Sequence, residues 1–228
     1  MLELIHQLEQ IDTEAFLYLN SMHCELLDYF MVLVSQRFTW IPFYAAFVFV
    51  LAFNFHWKVT VTTILAVALV VLLADQTASG LLKPLVGRLR PSNLNNPIST
   101  LVHVVDGYRG GRHGFPSSHA ANSWGVAIFA MYLVKNKCLS LFLAFWALIV
   151  SYSRIYLGVH YTGDILVGVL IGFIMASLIY WGYNRLLSKH AAAFRLKDRD
   201  KIKYDYLPIT IGAASFAVML AISIVHCL

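Results

Sequence analysis

The sequence predicts an all-α, polytopic membrane helical bundle with about six transmembrane helices and an amphipathic N-terminal segment. Two observations predict it. Of 228 residues, 59% are hydrophobic and only 13% charged, with a mean hydropathy of +0.69; soluble domains run near about 25% charged and roughly 45–50% apolar. Six apolar runs, at about 39–55, 58–80, 119–135, 138–156, 164–185 and 206–227, also approach the roughly 20 residues that a helix needs to cross a bilayer.

Taken in order, residues 1–36 mix apolar and acidic side chains at helical spacing. That pattern suits one or two amphipathic helices at the interface, with a short first span near 26–37 as a second reading. The stretch holds no Lys or Arg, so it lacks the basic n-region of a cleavable leader. Alternation of the six spans puts Lys58, Lys135, Lys137, Arg185, Lys189, Arg195, Lys197, Arg199, Lys201 and Lys203 on one side. The positive-inside rule makes that side cytoplasmic. The opposite side receives residues 1–36, the long loop 81–118 and the short loop 157–163.

Other classes fit less well. The formal charge of +5 hints at nucleic acid, but the one dense basic stretch, 185–206, lies between two apolar spans, where membrane orientation explains it. No nucleic-acid partner is expected. Cys24, Cys138 and Cys227 are far apart and form no CxxC, so neither a disulfide framework nor a zinc site is suggested.

Three polar constellations fall on the outward side. In KPLVGRLRP (83–91), Lys83 and Arg90 are seven apart. On a continuous helix they share a face about 10 Å apart, with Pro84 bending it and Pro91 ending it. They read as an anion clasp, or as snorkelling cations at a membrane edge. In RHGFPSSHAANSWG (112–125), Gly107, Gly110, Gly111 and Gly114 precede Pro116. Ser117 or Ser118 is then the N-cap, with His119 in the first turn of the next span. The free N–H groups of that helix end favour an anion, and a histidine there is placed to donate a proton. In SYSRIYLGVHYTGDILVG (151–168), His160 and Asp164 are four apart. A carboxylate one turn away binds one ring nitrogen and leaves the other free to attack, while Arg154 adds a cation with a bidentate fork. Three cations, two histidines and a carboxylate converging on one face describe a phosphate site.

The motifs K-x6-RP, PS-x-H and SR-x5-H-x3-D, in this order with helices between, resemble the signature of the type 2 phosphatidic acid phosphatase superfamily. Lys83, Arg90 and Pro91, then Pro116, Ser117 and His119, then Ser153, Arg154, His160 and Asp164 supply it. Ser118 stands where the family usually has glycine. The resemblance implies that His160 is the nucleophile and forms a phosphohistidine, with Asp164 orienting it. His119 protonates the leaving oxygen and then activates water. Lys83, Arg90, Arg154 and Ser117 or Ser118 hold the phosphoryl oxygens, replacing Mg²⁺, so no metal or other cofactor is expected. Asp75, an intramembrane carboxylate, is a functional candidate or a structural counter-charge. Arg109, Arg112 and His113 read as head-group contacts or a solvated loop, and Asn122 and Ser123 as packing or hydrogen-bonding groups.

The chain then reads as one membrane-embedded domain, 1–228, with its motifs within 83–164. The expected activity is hydrolysis of an envelope lipid phosphate or diphosphate at the outer face of the inner (cytoplasmic) membrane, with the site facing the periplasm or exterior. Phosphatidylglycerol phosphate, undecaprenyl diphosphate, phosphatidic acid and lipid A phosphates all suit the chemistry. The rival classes are a phosphotransferase of the same fold, an anion or lipid transporter, and a histidine-rich metal protein that the nearby cations disfavour. Oligomeric state is not addressed by the sequence.

Overall fold

The structure, a computed structural model, describes residues 2–189 and 202–228. The described residues form helices without a β-strand, apart from a lone antiparallel bridge between Leu89 and His113. Helix α1 (Leu2–Asn20) leads into α2 (Glu25–Ser35), and a short 3₁₀ turn, Phe38–Trp40, opens α3 (Ile41–Asn54). Then come α4 (Trp57–Asp75), continued by a π-helical segment Gln76–Leu82 into α5 (Lys83–Val86), and α6 (Ser118–Val134). Helices α7 (Lys137–Tyr156), α8 (Thr162–Lys189) and α9 (Leu207–Cys227) complete the bundle.

The helix starts follow local chemistry. Pro42 and Pro208 sit in the first turns of α3 and α9, where a missing N–H costs nothing. Ser117 caps α6 and Asn136 caps α7, each accepting a backbone N–H with its side chain. Pro84 explains the wide turn before it. Its ring presses on the carbonyl four residues back and it offers no N–H, and the Lys83 N–H reaches the Ala78 carbonyl, five residues back, instead.

Each of the six predicted runs coincides with a helix, but helix length does not establish six spans. Four meet the requirement of length and apolarity: Trp57–Val86, Lys137–Tyr156, Thr162–Ser188 and Leu207–Cys227. Glu25–Ser35 and Phe38–Asn54 meet it only together, across a 75° bend, which makes up to five. Helix α6, at 17 residues, is about 26 Å long, short of a typical hydrocarbon core. Within 1–36, α2 packs along α9 and α7 with Met31 and Val34 buried, and α1 docks on the bundle through wholly buried Phe16 and through Asn20.

Lys83 and Arg90 do not share a helix. Gly87 takes the left-handed conformation at φ 64° and ends α5 at Val86, five residues before Pro91. Arg90 then lies on an extended segment whose N–H donates to the Arg112 carbonyl, while the Gly114 N–H donates to Arg88.

Helix α6 is central and packs on α4, α7 and α8. Its contact with α8 is the tightest: a Cβ on Gly172 would lie 2.5 Å from the Ala121 carbonyl oxygen and 2.8 Å from the Gly125 nitrogen. Small residues let two backbones meet this way in apolar surroundings. The largest buried cluster joins Val34, Trp40, Phe43, Leu143, Trp146 and Met219. The basic ends of the helices meet at one pole, where Asn54 exchanges hydrogen bonds with the Lys203 backbone and Asn136 donates to Asp205. Arg195, Lys197, Arg199 and Lys201 lie outside the described residues. The three motifs assemble at the other pole.

Gly172→Val should push α6 from α8 and cost about 1–3 kcal/mol, lowering the apparent Tm in detergent by several degrees. Gly182→Ala, on the same helix with open space at its Cβ, should leave Tm unchanged or raise it.

Candidate active site

His160 lies on the short connection between α7 and α8, and Asp164 in the first turn of α8. They are 1% and 0% exposed. His160 Nδ1 is 3.3 Å from Asp164 Oδ2, which also accepts the Tyr161 N–H at 3.0 Å. A carboxylate at Nδ1 assigns the ring hydrogen to that nitrogen, leaving a lone pair on Nε2. Arg90 Nη1, a donor, faces Nε2 at 3.5 Å, consistent with this tautomer. Gly114 permits the arrangement, because a Cβ there would lie 2.9 Å from Asp164 Oδ2.

Lys83, Arg90 and Arg154 converge around this pair. Lys83 Nζ donates to Ser118 Oγ at 3.1 Å and to Ser79 Oγ at 3.4 Å. Arg90 donates to the His113 and Val159 carbonyls, each at 3.2 Å. Arg154 is 3% exposed and donates to the Ser35 hydroxyl, with its Nε unpartnered. Among the described residues none of the three forms a salt bridge; their partners are hydroxyls, carbonyls and an imidazole. Buried charge normally finds a counter-charge, and at this end of the bundle the three cations have none among the described residues. Burial, followed by the charges of Arg90, Arg154 and Lys83, holds the His160 pKa well below the usual histidine range. The ring is neutral at physiological pH.

Two site residues escaped the sequence reading. Arg88 donates to Asp164 Oδ1 at 3.1 Å and to Asp12 Oδ2 at 2.7 Å, while its guanidinium stacks 3.8 Å above the Tyr161 ring. Asp12, on α1, also accepts the Gly163 N–H at 2.7 Å. Arg88 therefore neutralises Asp164 and ties the N-terminal helix to it. The middle arginine of RLR was the available signal for Arg88; nothing local marks Asp12.

The remaining candidates separate. Ser117 caps α6 with its side chain, and its N–H donates to the Asp164 carbonyl at 2.9 Å. Ser118 turns its hydroxyl to Lys83. His119, half-buried, lines a cavity of about 420 Å³ together with Ser118, Asp75, Asn122 and Ser123, within range of the charges of Arg154 and Lys83. Asp75 connects through Ser79 to Lys83, each step 3.4 Å. Arg109 braces the loop by donating to the Ser92 carbonyl at 2.6 Å. Arg112 points to the surface, and His113 serves Arg90 through its carbonyl. Among the described residues no three His, Cys, Asp or Glu side chains are grouped to hold a metal.

Residues 61–188 match the PAP2 superfamily. The chain is 46% identical over 186 residues to a lipid A 4'-phosphatase of Bacteroides thetaiotaomicron, covering 82% of this chain and 83% of that protein. It is 37% identical over 174 residues to a lipid A 4'-phosphatase of Porphyromonas gingivalis, covering 76% and 73%. The crystal structure of Aquifex aeolicus LpxE superposes with a TM-score of 0.54 at 25% identity, covering 73% of this chain and 93% of that one.

The lowered pKa of His160 has a consequence for stability. Below about pH 6.5 the unfolded chain binds a proton at His160 that the folded chain refuses. Stability should therefore fall as pH drops from 7 to 5. His160→Gln should show a shallower fall in apparent Tm over that range, measured by thermal unfolding in detergent.

Proposed function

Because the chain belongs to the PAP2 superfamily and is an integral, multi-pass membrane lipid phosphatase, we propose that its substrate is a lipid A molecule bearing a 4'-phosphate. Hydrolysis would proceed through a phosphohistidine at His160. The two lipid A 4'-phosphatases among the relatives support the lipid. The observation that carries the mechanism is the set of three cations without carboxylate partners around a neutral His160.

In the proposed first step the His160 Nε2 lone pair attacks phosphorus and the bond from phosphorus to the lipid oxygen breaks. His119 gives its proton to that oxygen. Lys83, Arg90 and Arg154, with the N–H groups at the start of α6, hold the phosphoryl oxygens as their charge redistributes. Asp164 stabilises the Nδ1–H of the ring, which becomes positive on phosphorylation, and Arg88 and Asp12 fix Asp164. In the second step His119 takes a proton from water, the water oxygen attacks phosphorus, and the P–N bond breaks to free phosphate. The cations perform the task that Mg²⁺ performs elsewhere, so the reaction needs no metal.

The site would face the periplasm across the inner membrane. Lys58, Lys135, Lys137, Arg185 and Lys203 at the opposite pole support this sidedness, and a lipid reaches a site at the bilayer edge with its tails still in hydrocarbon.

Phosphate release from lipid A, undecaprenyl diphosphate, phosphatidylglycerol phosphate and phosphatidic acid, measured in EDTA on the purified protein, tests this. Wild type should release phosphate fastest from lipid A, and His160→Ala should lose about 10³-fold or more. Equal release by both proteins, or activity lost to EDTA and restored by Mg²⁺, would contradict the mechanism. A faster rate on another lipid would contradict the substrate.

A further inference from the structure

The bend between α2 and α3 carries a cation that no motif includes. Helix α2 ends at Ser35, Gln36 is extended at φ -77° and ψ 137°, and Arg37 opens the 3₁₀ turn. Thr39 Oγ1 donates to the Leu33 carbonyl at 2.7 Å and to the Gln36 carbonyl at 3.1 Å, and Trp40 Nε1 donates to the Val34 carbonyl at 2.9 Å. Carbonyls that a helix end leaves open are thus closed by side chains from beyond the bend. They fix the backbone on which Arg37 stands. Phe38 and Ile41 beside it are 80% and 56% exposed, as suits a bend that meets lipid.

Arg37 stands next to the phosphate-binding cluster. Ser35, two residues before it, accepts the Arg154 guanidinium, and two residues of chain span at most about 7 Å. Arg37 and Gln36 line the cavity that Ser118 and His119 also line, and the charge of Arg37 reaches both Arg154 and His119. Arg37 is itself exposed and, among the described residues, forms no salt bridge. An arginine that only anchors the bundle at an interface belongs, on the sidedness proposed above, at the opposite pole. Here it adds to three cations that already lack a carboxylate. Lys83, Arg90 and Arg154 bring three positive charges to a phosphate monoester that carries about −1.5 to −2 near neutral pH. A fourth is matched only when the ligand carries further negative charge.

Resting on the phosphatase reading above, we propose that Arg37 forms a second anion subsite, beside the one that holds the reacting phosphate, and that it binds another phosphate of the same lipid head group. A guanidinium suits that task because its fork meets two phosphate oxygens at once. Position separates the two roles. Arg154, buried and tied to Ser35, serves the group that is transferred. Arg37, exposed at the bend, meets a group that stays on the lipid. A head group with a phosphate at each end engages both, whereas a singly phosphorylated one leaves Arg37 unmatched. The subsite therefore selects doubly phosphorylated lipids.

The test uses lipid A radiolabelled in its 4'-phosphate, with and without a phosphate at the other end of the disaccharide. Release of label by the purified protein in neutral detergent gives kcat/KM for each lipid. Wild type should favour the doubly phosphorylated lipid by about tenfold, the size of one charge-assisted hydrogen bond. Arg37→Gln should bring the two values within about twofold of each other, chiefly by raising KM for the doubly phosphorylated lipid. Arg37→Lys should keep part of the preference, because it keeps the charge and loses the fork. Equal kcat/KM on the two lipids by wild type would overturn the proposal. So would a preference that survives in Arg37→Gln, even where that variant is slower on both. An Arg37 effect that needs phosphatidylglycerol in the micelles, and not the second phosphate, would also overturn it and put a neighbouring lipid at Arg37. Release from neither lipid by wild type would overturn the reading of lipid A as substrate, and this assignment with it.

Discussion

Positive charge without a matching carboxylate is the constraint around which this pole of the bundle is organised. Lys83, Arg90 and Arg154 are removed from water to different degrees, yet Asp164, the carboxylate among them, is already engaged by Arg88. Desolvated cations are costly unless they are hydrogen-bonded. The fold meets that cost with neutral acceptors: the Ser118 and Ser79 hydroxyls, the His113 and Val159 carbonyls, and the Ser35 hydroxyl. These acceptors fix the side chains without cancelling their charge. The attraction for an anion therefore survives folding, and on the proposed mechanism the site would need little rearrangement when charge shifts during phosphoryl transfer.

The same constraint explains why the supporting contacts are so specific. The Ser117 N–H donates to the Asp164 carbonyl, so the start of α6 and the start of α8 are held in register. Close α6–α8 packing through Gly172 transmits that register into the bundle. Asp12 reaches in from α1 to hold both Arg88 and the Gly163 N–H. Asn20, at the end of α1, donates to the backbone carbonyls of Ile155 and Tyr156 beside Arg154. The N-terminal helix is thus bound to both sides of the histidine segment, although none of its residues is among the proposed phosphate-binding groups.

Most of the site was legible because its parts are local. His160 and Asp164 are one turn apart, and Pro116, Ser117 and His119 form a helix start, so spacing alone carries their geometry. The order of the motifs with intervening spans then places them at one pole. What spacing did not carry was contact between distant segments: Arg88 meets Asp12 and Asp164 across 76 residues each way. The end of α5 was misjudged because two stop signals compete there. Pro91 suggests a helix running through Arg90, but Gly87 takes a left-handed turn first and converts the Lys83–Arg90 spacing from a helical face into a tertiary approach. The count of six spans is not established by helix length either: hydropathy located the helices, while the bend after α2 and the length of α6 are properties of the assembled chain.

The central claim is that the phosphoryl group passes through His160, and a trapping experiment tests it most directly. Purified protein would be mixed with lipid A radiolabelled in its 4'-phosphate, quenched in alkaline detergent within milliseconds to seconds, and mapped by peptide. The account predicts label on the peptide containing His160, stable to alkali and lost in acid, and absent from His160→Ala. Label that survives acid on a serine peptide, or phosphate release with no labelled protein at any time under conditions where the second step is slowed, would contradict it.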